Sequence, residues 1–222
     1  TLLVAPAAVA IDMVLNGKPG IDAQNELAPV STIATTPMIL VVKSSAPVKD
    51  AQELILRARA MPGTLNYSSA GSGTTLHLYA ELFKLRTGTD IVHIPFKGTA
   101  PALQALIAGD VDLCFAPVPS VLPLIKAGRL RALATTGAKR SDLLPEIPTM
   151  REAGVEGMDA SVWYGVFAPA ATPPDVINVL ARAILDASRT PDYRQRLLEL
   201  GEEPAATPPE AFRRLLREEM AK

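Results

Sequence analysis

The residues best suited to chemistry lie in one stretch, Tyr67-Ser68-Ser69-Ala70-Gly71-Ser72-Gly73-Thr74-Thr75-Leu76-His77. A short apolar segment enters a glycine turn, and the turn enters a helical pattern. The first turn of a helix carries backbone N–H groups without intrahelical partners, at the positive end of the macrodipole. Glycines let a ligand approach that backbone, and hydroxyls add donors. The predicted chemistry is therefore anion binding, of a carboxylate or a phosphate. A capped strand-to-helix junction with no ligand fits the same residues. Sharper motifs fail: Leu76 stands where a dinucleotide fingerprint needs glycine, no Gly-Lys-Ser/Thr occurs, and neither Ser69 nor Ser72 is flanked as in G-x-S-x-G.

Other candidates are weaker. His77, one turn into the helix, fits a packing histidine as well as a ligand contact. Lys97 and Gly98 lie at another strand-to-helix turn, where the lysine can counter an anion or simply be solvated. Asp110 and Asp112 share one strand face but do not form an acid/base pair with anything nearby. Trp163 and Tyr164 can line a cleft or pack a core, and Cys114 reads as a buried small hydrophobe.

Helices and strands must position this turn. Strands are predicted at Thr1–Ala5, Met38–Val42, Leu65–Ser68, Ile91–Ile94, Val111–Phe115, Leu130–Thr135 and Val162–Ala168, with residues 16–30 as loop. Helices are predicted after Pro47 (apolar stripe Ala51, Leu54, Ile55, Ala58), over Thr74–Leu85, after Thr99 (stripe Ala102, Leu103, Leu106, Ile107) and over Ser120–Ala127. Others follow Pro173 (stripe Val176, Leu180, Ala183, Ile184, Ala187) and Pro191. Thr149 with Glu152, and Thr207 with Glu210, form capping-box patterns that predict helix starts. Strands alternate with helices, so the class is α/β with mainly parallel strands, and no strand is predicted after Ala168. The 20 prolines in 222 residues punctuate these elements rather than forming a tract.

Composition excludes several classes. A net charge of −1 gives no basic excess for nucleic acid. One cysteine excludes an internal disulfide framework, and the two histidines, 77 and 93, are too far apart for a local metal motif. The longest uncharged stretch, Leu27–Val42, is shorter than the roughly 20 residues of a membrane span. The opening TLLVAPAAVA has no positive leader segment and reads as a strand and turn, which predicts that the sequence begins inside a domain.

In order, ELAPVSTIA, the block from Pro62 to His77, HIPFKGTAPALQALIAGDVDLCF, IKAGRLRALATTGAKRSDLLPEIPTMREAG and WYGVFAPAATP resemble the extracytoplasmic solute receptors of tripartite tricarboxylate transporters, the Bug (TctC-like) family. The resemblance covers essentially the whole length. It implies a type II periplasmic-binding-protein fold: two α/β lobes with a ligand cleft, joined by crossing strands, here with the first βα unit of lobe one missing. It places residues 41–164 in lobe two, and 1–40 with 165–222 in lobe one. It implies a monomeric periplasmic receptor, exported by a signal outside this sequence. That receptor captures a small carboxylate (a di- or tricarboxylate, an aromatic acid or an acidic amino acid) by hinge closure and delivers it to membrane permease subunits. No catalysis, cofactor, metal or nucleic acid is implied. The family's ligand loop in lobe two matches Ser69, Ala70, Gly71, Ser72, Gly73, Thr74 and Thr75, with His77 close by. Pro6, Ala7 and Ala8 match a second cleft position, as do Thr36 (with Thr35), Lys97, Gly98, Asp112 and Pro117. Two other readings compete: an effector-sensing domain of a regulator on the same fold, and a hydrolase using Ser69 or Ser72 with His77.

Overall fold

A computed structural model describes residues 1–7, 9, 25–159 and 161–220. In chain order the strands are β1 (Leu3–Pro6), β2 (Leu27–Lys43), β3 (Asn66–Ser69), β4 (Val92–Pro95), β5 (Leu113–Pro117), β6 (Leu130–Thr135), β7 (Ser161–Pro169) and β8 (Glu203–Pro204). The helices are α1 (Ala51–Ala60), α2 (Thr75–Thr87), α3 (Thr99–Ala108), α4 (Val118–Lys126), α5 (Pro174–Ser188), α6 (Pro191–Glu199) and α7 (Pro209–Met220). Among the described residues no helix is long and apolar enough to cross a membrane. The chain divides into two compact units, one of residues Thr36–Ser161 and one of Thr1–Thr35 with Val162–Lys222.

The Thr36–Ser161 unit contains the glycine turn. Its sheet runs β6-β2-β5-β3-β4. β3 is parallel to both β4 and β5, whereas β2 is antiparallel to β5 and β6. The sheet is thus mixed rather than mainly parallel. Its centre is apolar and β-branched: Met38, Ile39, Leu40, Val41 and Val42 of β2 and Leu113, Cys114, Phe115 and Ala116 of β5 are buried. Helix α1 buries Ala51, Leu54, Ile55 and Ala58, the stripe its spacing predicts. Its start is a reciprocal cap: Asp50 accepts the Glu53 amide at 2.8 Å, and Glu53 accepts the Lys49 amide at 2.7 Å. Asp50→Ala is expected to cost about 1 kcal/mol in denaturant unfolding, and an unchanged midpoint would remove the cap's role.

The other unit is built on β1 and the antiparallel β7, with β7 beside β2 and β8 on β2 at Ala34–Thr35. Ala5, Ala7, Trp163, Phe167, Phe212 and Leu216 form its first cluster. The Phe212 ring meets Trp163 edge-on at 5.1 Å and Phe167 at 5.0 Å. Val30, Val166, Ala168, Ile177 and Ala181 form the second.

Several sequence expectations are corrected. Leu27–Val30, read as the end of a loop, is strand, because the uncharged, β-branched run extends β2 to 17 residues. Pro37, which lacks an N–H, falls where β2 changes partners, from β8 at Ala34–Thr35 to β5 at Met38. The first part of the predicted loop lies outside the described residues. Helix α3 is capped by Gly98 rather than Thr99, with Gly98 at φ +121°. Thr149 and Glu152 do form their reciprocal bonds, at 2.7 and 3.1 Å, but close a turn rather than open a helix. Thr207 contacts the Thr32 hydroxyl at 3.0 Å and does not form a box with Glu210. In α5 the inward face is Ile177 and Ala181, with Leu180 and Ile184 half-buried, while Val176, Ala183 and Ala187 are exposed. That helix is apolar on more than one face, and the bulkier Ile177 wins the core. The two-residue β8 is too short to show in the hydropathy pattern.

Candidate functional site

Three strands of the Thr36–Ser161 unit, β3, β4 and β5, run parallel, and each is followed directly by a helix: α2, α3 and α4. Their helix starts therefore gather at one sheet edge, the carboxyl end of the strands, where open α/β sheets bind ligands. The three share a feature. None has an acidic residue in its first turn, and none has a side-chain cap. Helices α1, α5, α6 and α7 each carry one there: Glu53, Asp175, Asp192 and Glu210. Acids stabilise a helix start by about 0.3–1 kcal/mol, so their absence from all three leaves the positive ends uncompensated at this edge.

The turn between β3 and α2 is tied from within. Gly71 at φ +128° and Gly73 at φ +78° hold conformations that L side chains rarely adopt. The Ser69 hydroxyl, fully buried, accepts the Gly71 amide at 3.1 Å, and the Thr74 hydroxyl donates to the Gly71 carbonyl at 2.7 Å. The Gly73 amide donates to His77 Nδ1 at 3.2 Å. A Cβ on Gly71 would stand 3.6 Å from the Phe96 carbonyl, and the Phe96 amide donates to Ser69, so the turns after β3 and β4 touch. The Ser69 hydroxyl in turn donates to the Gly71 carbonyl at 3.2 Å, so the donors of Ser69, Gly71, Gly73 and Thr74 are used within the turn. Among the described residues the amides and hydroxyls of Ser72 and Thr75 have no protein partner; Ser72 is exposed and Thr75 half-buried. Those are the donors the turn holds ready for an anion.

Beneath the turn the two histidines, 16 positions apart in sequence, are brought together. Tyr67 on β3 is in register with His93 on β4, and their rings stack at 4.8 Å. The His77 ring lies 4.3 Å from that of His93, and His93 Nε2 is 2.6 Å from the Ser69 hydroxyl. Tyr67 donates to Glu81 at 2.6 Å, and Glu81 also accepts from Lys84 at 2.8 Å. Burial, then the adjacent His77 imidazole, holds His93 below the usual histidine value. Burial and the bond to Glu81 push the Tyr67 phenol up. Burial opposes ionisation of Glu81, but bonds from Lys84 and Tyr67 outweigh it and lower its value. The pairing of Ser69 or Ser72 with His77 is not formed, since Ser69 meets His93. Among the described residues no carboxylate bonds to either imidazole.

The remaining candidates separate. Lys97 is exposed and Gly98 half-buried, both in the turn after β4 at the same edge. Pro117 precedes α4 there and pairs with Met38; Thr36 is buried two residues before Met38. Asp112 lies at the opposite ends of these strands, where its carboxylate accepts the Asn66 amide at 2.8 Å, and is not brought to the turn. Pro6 and Ala7 belong to the other unit. Ala7 is buried in the Trp163 cluster, and its amide donates to the Trp163 carbonyl at 2.9 Å. Ala8 lies outside the described residues. Trp163 is core rather than cleft lining, at 1% exposure. Cys114 is buried, and burial pushes its thiol up to about 12. No group of three or more metal-ligating side chains occurs among the described residues.

The acid-free helix starts were readable in the sequence, in Thr75-Leu76-His77, Thr99-Ala100-Pro101 and Val118-Pro119-Ser120. The histidine pair carries no local sequence signal.

Residues 4–222 match the model of the tripartite tricarboxylate transporter family receptor. A Pseudomonas sp. (strain P51) protein, "UPF0065 protein in tcbD-tcbE intergenic region", is 36% identical over 99% of the chain and 66% of its own length. The chain spans half to about two thirds of the length of two such curated relatives. Among solved structures, "R. palustris Rpa4515 with adipate" superposes at a TM-score of 0.84 with 35% identity, covering 100% of the chain and 74% of that protein. "MatC (Rpa3494) from Rhodopseudomonas palustris with bound malate" gives 0.78 and 29%, covering 100% and 76%.

Proposed function

The chain belongs to the tripartite tricarboxylate transporter receptor family, and from that premise we propose that it captures a small carboxylate as a solute receptor, without catalysis. The observation that carries the reading is the gathering of three acid-free helix starts at the edge where the Ser69–Thr75 turn leaves Ser72 and Thr75 unpartnered. One carboxylate group docks on those donors, with Gly71 and Gly73 allowing close approach. Each charge-assisted hydrogen bond there contributes about 1.5–3 kcal/mol. Lys97 and Gly98, and the residues around Thr36 and Pro117, border the same edge and meet the rest of the ligand. Adipate and malate, named with the two solved relatives, are both dicarboxylates and support a dicarboxylate as the ligand of this chain. By family, the partner is the membrane permease and the compartment the periplasm. Residues 41–164 act as the lobe bearing the turn, and 1–40 with 165–222 as the other.

Thermal unfolding with and without adipate or malate tests this. At a hundredfold excess over its dissociation constant a ligand adds about 2.7 kcal/mol to stability, so the melting temperature rises. No rise with any mono-, di- or tricarboxylate, or turnover of a carboxylic ester, would overturn the reading.

A further inference from the structure

The two adjacent imidazoles under the turn are not among the proposed carboxylate donors, and each reaches a different point of the turn. His93 holds the Ser69 hydroxyl at 2.6 Å, and His77 Nδ1 accepts the Gly73 amide at 3.2 Å. The groups facing the pair are Tyr67 from β3 and Glu81 and Lys84 from α2; Lys84 Nζ lies 5.8 Å from the Tyr67 ring centre. With the rings 4.3 Å apart, a second proton is opposed by the first. The two bonds respond differently to a proton. Ser69 has a second acceptor in the Gly71 carbonyl at 3.2 Å, so its contact with His93 survives protonation. The Gly73 bond does not survive, because Nδ1 must be unprotonated to accept.

We propose that His77 and His93 are positioning residues of the carboxylate turn that share one proton, and that a proton on His77 releases the Gly73 amide and adds a cationic donor, so that acidification tightens carboxylate binding. The inference rests on the turn being the carboxylate site. A bound anion beside Gly73 selects the state with His77 protonated, and by linkage proton uptake favours the anion. In the free protein burial and the neighbouring imidazole favour the neutral form of His93. The folded value of His93 lies below the unfolded one. Its contribution to stability is therefore complete above about pH 6.5 and is lost as pH falls through the folded value.

Two measurements test this. In the free protein, NMR titration is expected to show the His77 and His93 ring resonances moving together, with the Gly73 amide following His77. His93→Gln, whose amide still reaches Ser69, should shift the His77 titration. Independent titrations, or a Gly73 amide that does not follow His77, would overturn the proposal, whether or not any ligand binds. With adipate or malate, the dissociation constant is expected to fall about fivefold or more from about pH 8 to about pH 6, where carboxylates stay ionised. His77→Asn, whose Oδ1 stands at the Nδ1 position and accepts without titrating, should flatten that dependence. Binding that is independent of pH in the wild-type chain, or equally pH-dependent in His77→Asn, would overturn the proposal while leaving the carboxylate reading intact. Coupled histidines without any carboxylate binding would overturn the carboxylate reading and the tightening with it, leaving only the shared proton.

Discussion

Gly73→Asp is expected to abolish the stabilisation of the chain by adipate or malate while leaving it folded. Gly73 stands at φ +78° between Ser72 and Thr75, whose donors are unpartnered. Aspartate is among the few residues that tolerate a positive φ. Its carboxylate would lie at the start of α2, which has no side-chain cap and no first-turn acid. It would act as a tethered occupant of the anion site and repel an incoming carboxylate. A loss of a hundredfold or more in affinity is expected, about 2.8 kcal/mol. Stability without ligand should change by no more than about 1 kcal/mol, since the strain of a side chain at positive φ opposes the roughly 0.3–1 kcal/mol an acid contributes at a helix start. Gly88→Asn at the far end of α2 provides the control. Gly88 has φ +59° and open space around it, so binding should be unaffected. Unchanged affinity in Gly73→Asp would move the site elsewhere.

Gly165→Ala is expected to produce the largest loss of stability from a single methyl group. Gly165 lies in β7 opposite Ala5 of β1. An added Cβ would stand 2.1 Å from Phe212 Cζ and 2.6 Å from Cε1. The ring cannot retreat, because Phe212 is fully buried against Trp163 and Phe167. Overpacking of this kind costs about 3 kcal/mol, and the melting temperature should fall by about 6–12 °C. Phe212→Leu in the Gly165→Ala background should recover part of the loss, since the methyl then enters space the ring vacates. A melting temperature equal to wild type would show that Phe212 does not fill the glycine's place.

Much of the scaffold was legible because local rules and tertiary demands agree. The α1 stripe at 51, 54, 55 and 58 is the buried face, and Pro174 and Pro191 open helices. The strand–glycine–helix reading at Ser68–Thr75 matches β3, the turn and α2. Legibility failed where two signals compete or where partners are distant. Leu27–Val30 carries Pro29 and follows a polar segment, so its strand depends on pairing that only the sheet supplies. Thr207 has the spacing of a cap but finds Thr32, 175 positions away. The register of β3 against β4 joins Tyr67 to His93, and α2 brings His77 against them; no window of sequence contains that arrangement. Of the residues in the turn, the structure separates those whose donors shape it, Ser69, Gly71, Gly73 and Thr74, from Ser72 and Thr75. Sequence alone could not divide them, because the division depends on the left-handed glycines and on the His77 side chain folding back.

Amide chemical-shift mapping with adipate or malate reads directly where a carboxylate docks. Saturable shifts are expected, largest at Ser72, Gly73 and Thr75, with smaller ones at Lys97 and Gly98. Saturable shifts that leave residues 71–75 unmoved would contradict docking at the turn.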